Sequence, residues 1–229
     1  MNEPSALPHY FLIRAAYDDP EISQSRLELS RLTIIPSLAS QCTDIRVVLR
    51  LSRGDPFYFD RWAAFGGVCK DVRIVSGRKD WADVIDSSEP RLITRVDDDD
   101  FLAVWHSERL QRKAASARAE SILYWPNGYV LADRLRWWTS ETNQFQTLLT
   151  ESHNPAETPF LLHHARVRDR WPVVEVDSAR AWCWTRHVGA KSYGGDRPRI
   201  WTGFRVEKRP VGHFAVDFKS TRRQIAGLG

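Results

Sequence analysis

The chain has 229 residues, 42% hydrophobic and 27% charged, which is enough apolar material for a sizeable core and too much for a disordered segment. Its net charge of +4 arises from 33 basic and 29 acidic residues scattered along the sequence, so anionic ligands are tolerated but no basic stripe calls for nucleic acid. No apolar run approaches the roughly 18 residues of a membrane span, no signal-peptide core opens the chain, and Cys42, Cys69 and Cys183 are too far apart for a disulfide framework, so the expected compartment is the cytoplasm.

His9 to Ala16 reads as a first strand, apolar except at Arg14. Ser25 and Glu28 have capping-box spacing, and Leu27, Leu29, Leu32, Ile35 and Leu38 follow with helical period until a bend near Pro36. Ile45 to Leu51 reads as a second strand, closed by the turn signal Arg53-Gly-Asp-Pro56. A short helix over Phe57 to Phe65 precedes a strand over Val72 to Val75. The next strand, from Arg91 to Val96, stops at four consecutive acids, Asp97 to Asp100, and a helix is expected from Phe101 to about Ala119. This alternation predicts an α/β fold with a mostly parallel sheet and flanking helices.

Beyond residue 120 the pattern changes. Ile122–Trp125, Tyr129–Ala132 and Leu135–Thr139 are short aromatic runs that read as hairpins, making a smaller mixed β second half. Asn143 to Glu151 reads as a short helix, Val173–Val176 and Ala181–His187 as strands, and Gly189 to Pro198 as a mobile loop. The ten tryptophans are expected mostly in the core. No repeat or linker divides the chain, so one domain is expected.

The acidic run carries the most chemistry. Four carboxylates within about 14 Å of extended chain repel one another unless a cation or basic side chains lie among them. They fall where a strand gives way to a helix, the edge at which open α/β sheets place ligands. That combination points to a divalent metal carrying a phosphorylated substrate. Asp98, alternating away from its neighbours, is expected to face solvent. Arg14 and Arg95 lie in apolar strands, where a charge needs a partner: a salt bridge, the acidic cluster or a phosphate.

Four segments in order carry a family resemblance: Phe11-Leu-Ile-Arg14; Ile35-Pro-Ser-Leu38 with Gln41 and Thr43; Ile93-Thr-Arg95-Val-Asp97-Asp98-Asp99-Asp100; and Tyr124-Trp-Pro-Asn-Gly128-Tyr-Val-Leu-Ala-Asp133 with Asn143, Phe145 and Leu148. Over about residues 10 to 190 the chain resembles the GT-A class of nucleotide-sugar glycosyltransferases and, more narrowly, the bacterial putative rhamnosyltransferase family. The resemblance implies a GT-A-like fold in a single unit. About residues 8–119 would bind the nucleotide sugar, about 120–190 would serve the acceptor, and 191–229 would form a mobile loop and tail. It also implies metal-dependent, inverting transfer of a sugar to a hydroxyl acceptor. Asp97 would lie near the ribose or the metal's water shell, and Asp99 would ligate manganese or magnesium. Asp100 would support the site or bind the donor sugar, and His187 would complete the metal set. Arg14, Arg95, Lys191 and Arg197 would meet the diphosphate. Glu151 is the expected base, with Asp133, Asp169 and Asp177 as other candidates. A nucleotidyl- or phosphotransferase would use the same carboxylates, although no GxxxxGK[ST] phosphate cradle is present. A non-catalytic carbohydrate- or nucleotide-binding module is the third possibility.

Overall fold

Strand β1 (His9–Ala15) is apolar on both faces and buried on both, with Arg14 its single exposed residue, which is the signature of a strand at the centre of a covered sheet. The computed structural model describes residues 6–41, 43–76, 80–132, 134–186, 207 and 212–227. After β1 come helices α1 (Pro20–Leu32) and α2 (Ile34–Ala39), strand β2 (Ile45–Leu51), helix α3 (Tyr58–Gly66), and strands β3 (Asp71–Ser76), β4 (Arg91–Asp97) and β5 (Phe101–Leu102). Helix α4 (His106–Ala114) leads to β6 (Ser121–Tyr124), β7 (Asn127–Leu131), β8 (Leu135–Thr139), β9 (Gln146–Thr150), β10 (Val173–Glu175), β11 (Arg180–Thr185) and helix α5 (Phe218–Gly227).

Seven strands form the main sheet in the order β10-β6-β9-β4-β1-β2-β3, and every neighbouring pair in it is parallel except the two that involve β9. A second, mixed sheet has the order β5-β11-β7-β8. This is the expected α/β architecture, a mostly parallel sheet with a smaller mixed β part. Strands from both sides of residue 120 enter both sheets.

Several local readings are corrected. Helix α1 starts at Pro20, where Asp19 accepts the amides of Glu21 and Ile22 at 2.8 and 3.1 Å, so the Ser25–Glu28 pair lies inside a helix capped earlier. The helical run breaks at Thr33 rather than Pro36, because Pro36 is tolerated in the first turn of α2, where its missing amide costs nothing. Phe101 and Leu102 pair with Cys183 and Trp182 as a strand, delaying α4 to His106. The segment expected as a helix at Asn143–Glu151 holds β9, a strand buried at all five residues between β4 and β6. Ile122–Trp125 and Tyr129–Ala132 form no hairpin: β6 and β7 belong to different sheets, and only β7 and β8 pair as one.

The sheet's two faces are unequal. One carries the larger core, in which Phe11, Ile13, Val47, Leu92 and Val96 meet α2, α3, α4 and the tryptophans at the junction with the second sheet. There Gly128 passes so close to Trp182 that an added Cβ would sit 2.1 Å from the indole, and the same ring stacks on Phe145 at 4.9 Å. The other face is thinner, covered by Trp81, Ile85, Val167 and Trp171 with Phe160 packed alongside.

Candidate active site

Strand β4 ends at Asp97, and the Asp100 amide donates back to the Asp97 carbonyl at 3.3 Å, folding the four acids into a tight turn. The turn ends the strand's alternation, and this overturns the expectation for Asp98. Its side chain is fully buried: Tyr17 donates to it at 2.6 Å, Arg26 donates to it, and Arg61 lies at 3.8 Å. Arg26 also donates to Asp99 and, through Nε, to the Tyr17 oxygen at 2.8 Å. Arg61 is itself fixed by Asp55 at 3.3 Å and by the Ser23 carbonyl at 2.6 Å. Asp100 is held from the second sheet, by the Thr185 amide at 2.8 Å, with Gln144 donating at 3.3 Å; the Thr185 hydroxyl donates to the Asp99 carbonyl.

These partners do not balance the charge. Arg26 serves Asp98 and Asp99, while Arg61 is shared with Asp55; among the described residues neither Asp97 nor Asp100 forms an ion pair. Burial, then the neighbouring Asp99, pushes the Asp97 carboxyl up to about 6. Burial, with Asp99 and Asp97 adding to it, holds Asp100 well above the usual carboxylate range. Burial raises Asp98 too, in spite of Arg26. Burial works against the charge on Arg26, but Asp98 and Asp99 outweigh it and hold the guanidinium firmly protonated. Among the described residues the turn has more carboxyl groups than guanidiniums paired with them.

Arg14 and Arg95 lie on the same face of the sheet as Asp97. Arg14 is exposed and stands opposite Asp97 in the β1–β4 register. Arg95 is two residues before Asp97, its guanidinium 4.5 Å from the Phe160 ring centre. Glu151 is not brought to this edge. Thr150 pairs with Arg91 at the start of β4, so Glu151 lies about 20 Å of strand away from Asp97, exposed, its amide bound to Glu120 at 2.8 Å. The expected base is therefore corrected: the antiparallel course of β9 carries Glu151 to the opposite end of the sheet. Asp169 pairs with Arg166 at 3.0 Å and Asp177 with Arg109 at 2.9 Å. Asp133, His187, Lys191 and Arg197 lie outside the described residues.

Sequence reasoning missed Tyr17, Arg26, Arg61, Gln144 and Thr185 at this centre. One signal was available: Ser23, Arg26 and Ser30 make a polar stripe at helical spacing on the buried side of α1, and a charge there needs an anionic partner.

A divalent cation would suit the turn in donor chemistry, because carboxylate oxygens are the ligands of hard cations. Asp97 and Asp99 would supply two oxygen donors. Among the described residues no three or more His, Cys, Asp or Glu side chains are grouped to hold a metal ion.

The sequence profile of a family described as "Putative rhamnosyl transferase" matches residues 76–194, a span that includes the acid turn, β9 and β11. No curated protein matches the sequence. Among solved structures, S. aureus TarS aligns with a TM-score of 0.51 and 8% identity over 79% of this chain and 37% of that one. S. aureus TarS 1-349 in complex with UDP aligns with a TM-score of 0.53 and 9% identity over 79% and 61%. The chain thus spans between 37% and 61% of the length of these structures, and the likeness is one of fold.

Proposed function

The chain belongs to the putative rhamnosyl transferase family, a glycosyltransferase family, and on that premise we propose that it moves a sugar from a nucleotide-sugar donor to a hydroxyl acceptor at the acid turn ending β4. The observation that carries this reading is the turn itself: Asp97 and Asp99 at the C-terminal edge of a parallel strand, with more negative charge than Arg26 and Arg61 offset, beside the exposed Arg14. The UDP bound to TarS, which shares this fold, supports a nucleotide donor.

In this reading Asp97 and Asp99 hold a divalent manganese or magnesium ion, with His187 as a further ligand. When bound, such an ion offsets the charge that builds on the diphosphate as the glycosidic bond breaks. Arg14 and Arg95 add positive potential at the same edge, and Lys191 and Arg197 contribute from the later segment. Asp98, Tyr17, Arg26 and Arg61 set the turn's shape, so the metal-binding carboxylates need little reorganisation. The donor is bound by residues up to about 119, and the acceptor is met by residues of the 120–190 stretch.

The test is incubation with a panel of nucleotide sugars and Mn²⁺ or Mg²⁺, with release of free nucleoside diphosphate as the readout. Metal-dependent release from at least one donor is expected, accelerated by an acceptor hydroxyl. Proton NMR of the product then checks the expected inversion at the anomeric carbon. Release unaffected by a chelator would overturn the metal role, and no release from any donor would overturn the transfer reading.

A further inference from the structure

Helix α1 delivers a guanidinium into the acid turn. Arg26 lies on the helix's buried side with Ser23, Leu27 and Ser30, and only 6% of it is exposed. Its three nitrogens each have a partner in the centre: Nε donates to the Tyr17 oxygen at 2.8 Å, one terminal nitrogen to Asp99 and the other to Asp98. The central carbon of the fork is 5.3 Å from the middle of the Tyr17 ring. A planar fork can span two carboxylates in this way, and arginine keeps its charge at any working pH. The helix that carries it is itself fixed, because the Ser23 hydroxyl donates to Asp55 at 3.2 Å and the Ser23 carbonyl accepts from Arg61 at 2.6 Å.

Asp99 is the carboxyl assigned above to the metal, and one of its oxygens already accepts from this guanidinium. The turn does not depend on Arg26 alone for its shape. Tyr17 donates to Asp98 at 2.6 Å, and the Asp100 amide closes on the Asp97 carbonyl at 3.3 Å. From the second sheet the Thr185 amide donates to the Asp100 carboxyl at 2.8 Å, and the Thr185 hydroxyl to the Asp99 carbonyl. What Arg26 adds to these restraints is positive charge. Two cations that neutralise the same carboxylate weaken each other's hold, since each removes the charge that attracts the other.

Resting on the metal role proposed above, we infer that Arg26 is a resident counter-ion that competes with the divalent metal for Asp99, and so sets how tightly the turn holds the metal. In the metal-free protein the guanidinium keeps Asp98 and Asp99 in a folded turn. The same charge leaves the metal loosely held, so that much of its hold comes from the diphosphate oxygens of the donor. A purely structural ion pair behaves differently: its loss lowers stability and leaves metal affinity unchanged or weaker.

The experiment titrates Mn²⁺ into wild type, Arg26→Gln, Arg26→Lys and Asp99→Asn, with and without UDP, by calorimetry and by loss of the free-ion signal in electron paramagnetic resonance. Arg26→Gln keeps hydrogen-bond donors but removes the charge, and its Mn²⁺ affinity should rise about tenfold or more. Arg26→Lys keeps the charge and should stay within about threefold of wild type. A rise in Arg26→Lys as large as in Arg26→Gln would trace the effect to shape and overturn the inference. Asp99→Asn should weaken binding, which assigns the signal to the turn. If it does so while Arg26→Gln binds no more tightly than wild type, Arg26 is a structural ion pair only; the inference falls and the metal role stands. Binding that Asp99→Asn leaves unchanged puts the ion elsewhere and overturns both. Should wild type bind no Mn²⁺ with or without UDP, the metal role fails on its own. Arg26→Gln then still decides: binding gained supports the competition, and none overturns it.

Urea unfolding gives an independent readout. The stability that Arg26→Gln loses in metal-free buffer should be partly restored by saturating Mn²⁺, and by more than the ion stabilises wild type. A variant that stays unfolded in Mn²⁺ while Arg26→Lys folds would overturn the inference.

Discussion

Strand β4 has charges at both ends, and the two ends treat them differently. At its start Arg91 is fully buried with one nitrogen donating to the Glu89 carbonyl at 3.2 Å, while Glu120 nearby gathers the Thr150 hydroxyl and the amides of Glu151 and Ser152 through one oxygen at 2.7, 2.8 and 3.1 Å. Glu120 is met by neutral donors, whereas the Arg91 side chain makes that one hydrogen bond and leaves two buried nitrogens, Nε and Nη2, without one. At the other end four carboxyl groups crowd two guanidiniums among the described residues, one of which is also committed to Asp55. A lone buried charge has only its own desolvation to offset, whereas a crowd of like charges also repels itself, a deficit that a cation or bound protons remove. On the function proposed above, the start of β4 is architecture and its finish is the site.

The largest expected effect tests that division directly. Asp99→Asn keeps the shape of the turn but removes a carboxylate, and glycosyl transfer should fall by on the order of a hundredfold or more. Steady-state kinetics with metal present measures it, and near-wild-type turnover would return the acid turn to architecture. Next comes Arg26→Met, which leaves Asp98 and Asp99 buried without their shared cation and should cost about 3–5 kcal/mol in urea unfolding. A loss below about 1 kcal/mol would mean that the ion pair is not what holds the turn.

A pH comparison sharpens the picture further. The Asp97 carboxyl titrates near 6 in the folded protein against an ordinary 3.8, so between about pH 4 and 6 the native state keeps a proton that the unfolded chain has released. Its contribution to stability therefore falls as pH rises through that window. Asp97→Asn lacks the fall, so in a chelating buffer the variant should gain on wild type between about pH 4.5 and pH 7. Urea midpoints that differ by the same amount at both values would rule this out. At the quieter end of β4, Glu120→Gln weakens three hydrogen bonds and should cost about 1 kcal/mol without changing turnover. Smallest of all, Glu151→Gln should shift stability by less than about 0.5 kcal/mol and leave turnover alone; a clear drop in activity would put the reacting centre at the wrong end of the strand.

The parallel strands β1 to β4 were legible because each is an apolar run bounded by turn residues. Strand β9 was not, since Phe145, Leu148 and Leu149 have helical spacing, and a strand buried on both faces shows the same apolar run. Phe101 and Leu102 looked helical until their partners, 80 or more residues later, claimed them for the second sheet. The site divided in the same way. Four acids in succession announce themselves, but Tyr17 and Arg26 reach Asp98 and Asp99 across 72 to 81 residues, and nothing local marks such pairings. The course of β9 decided against Glu151, and that course follows from sheet topology rather than from any motif.

Thr185 closes the acid turn across 85 residues of sequence, from a strand that belongs to the other sheet. Closing the centre's geometry therefore waits on a long-range loop closure. A chain emerging from the ribosome can assemble β1 to β4 and present the four carboxylates well before β11 exists to hold Asp100. Until then Tyr17 and Arg26 can already hold Asp98 and Asp99, and it is Asp100 that is left free to take up a cation or a proton.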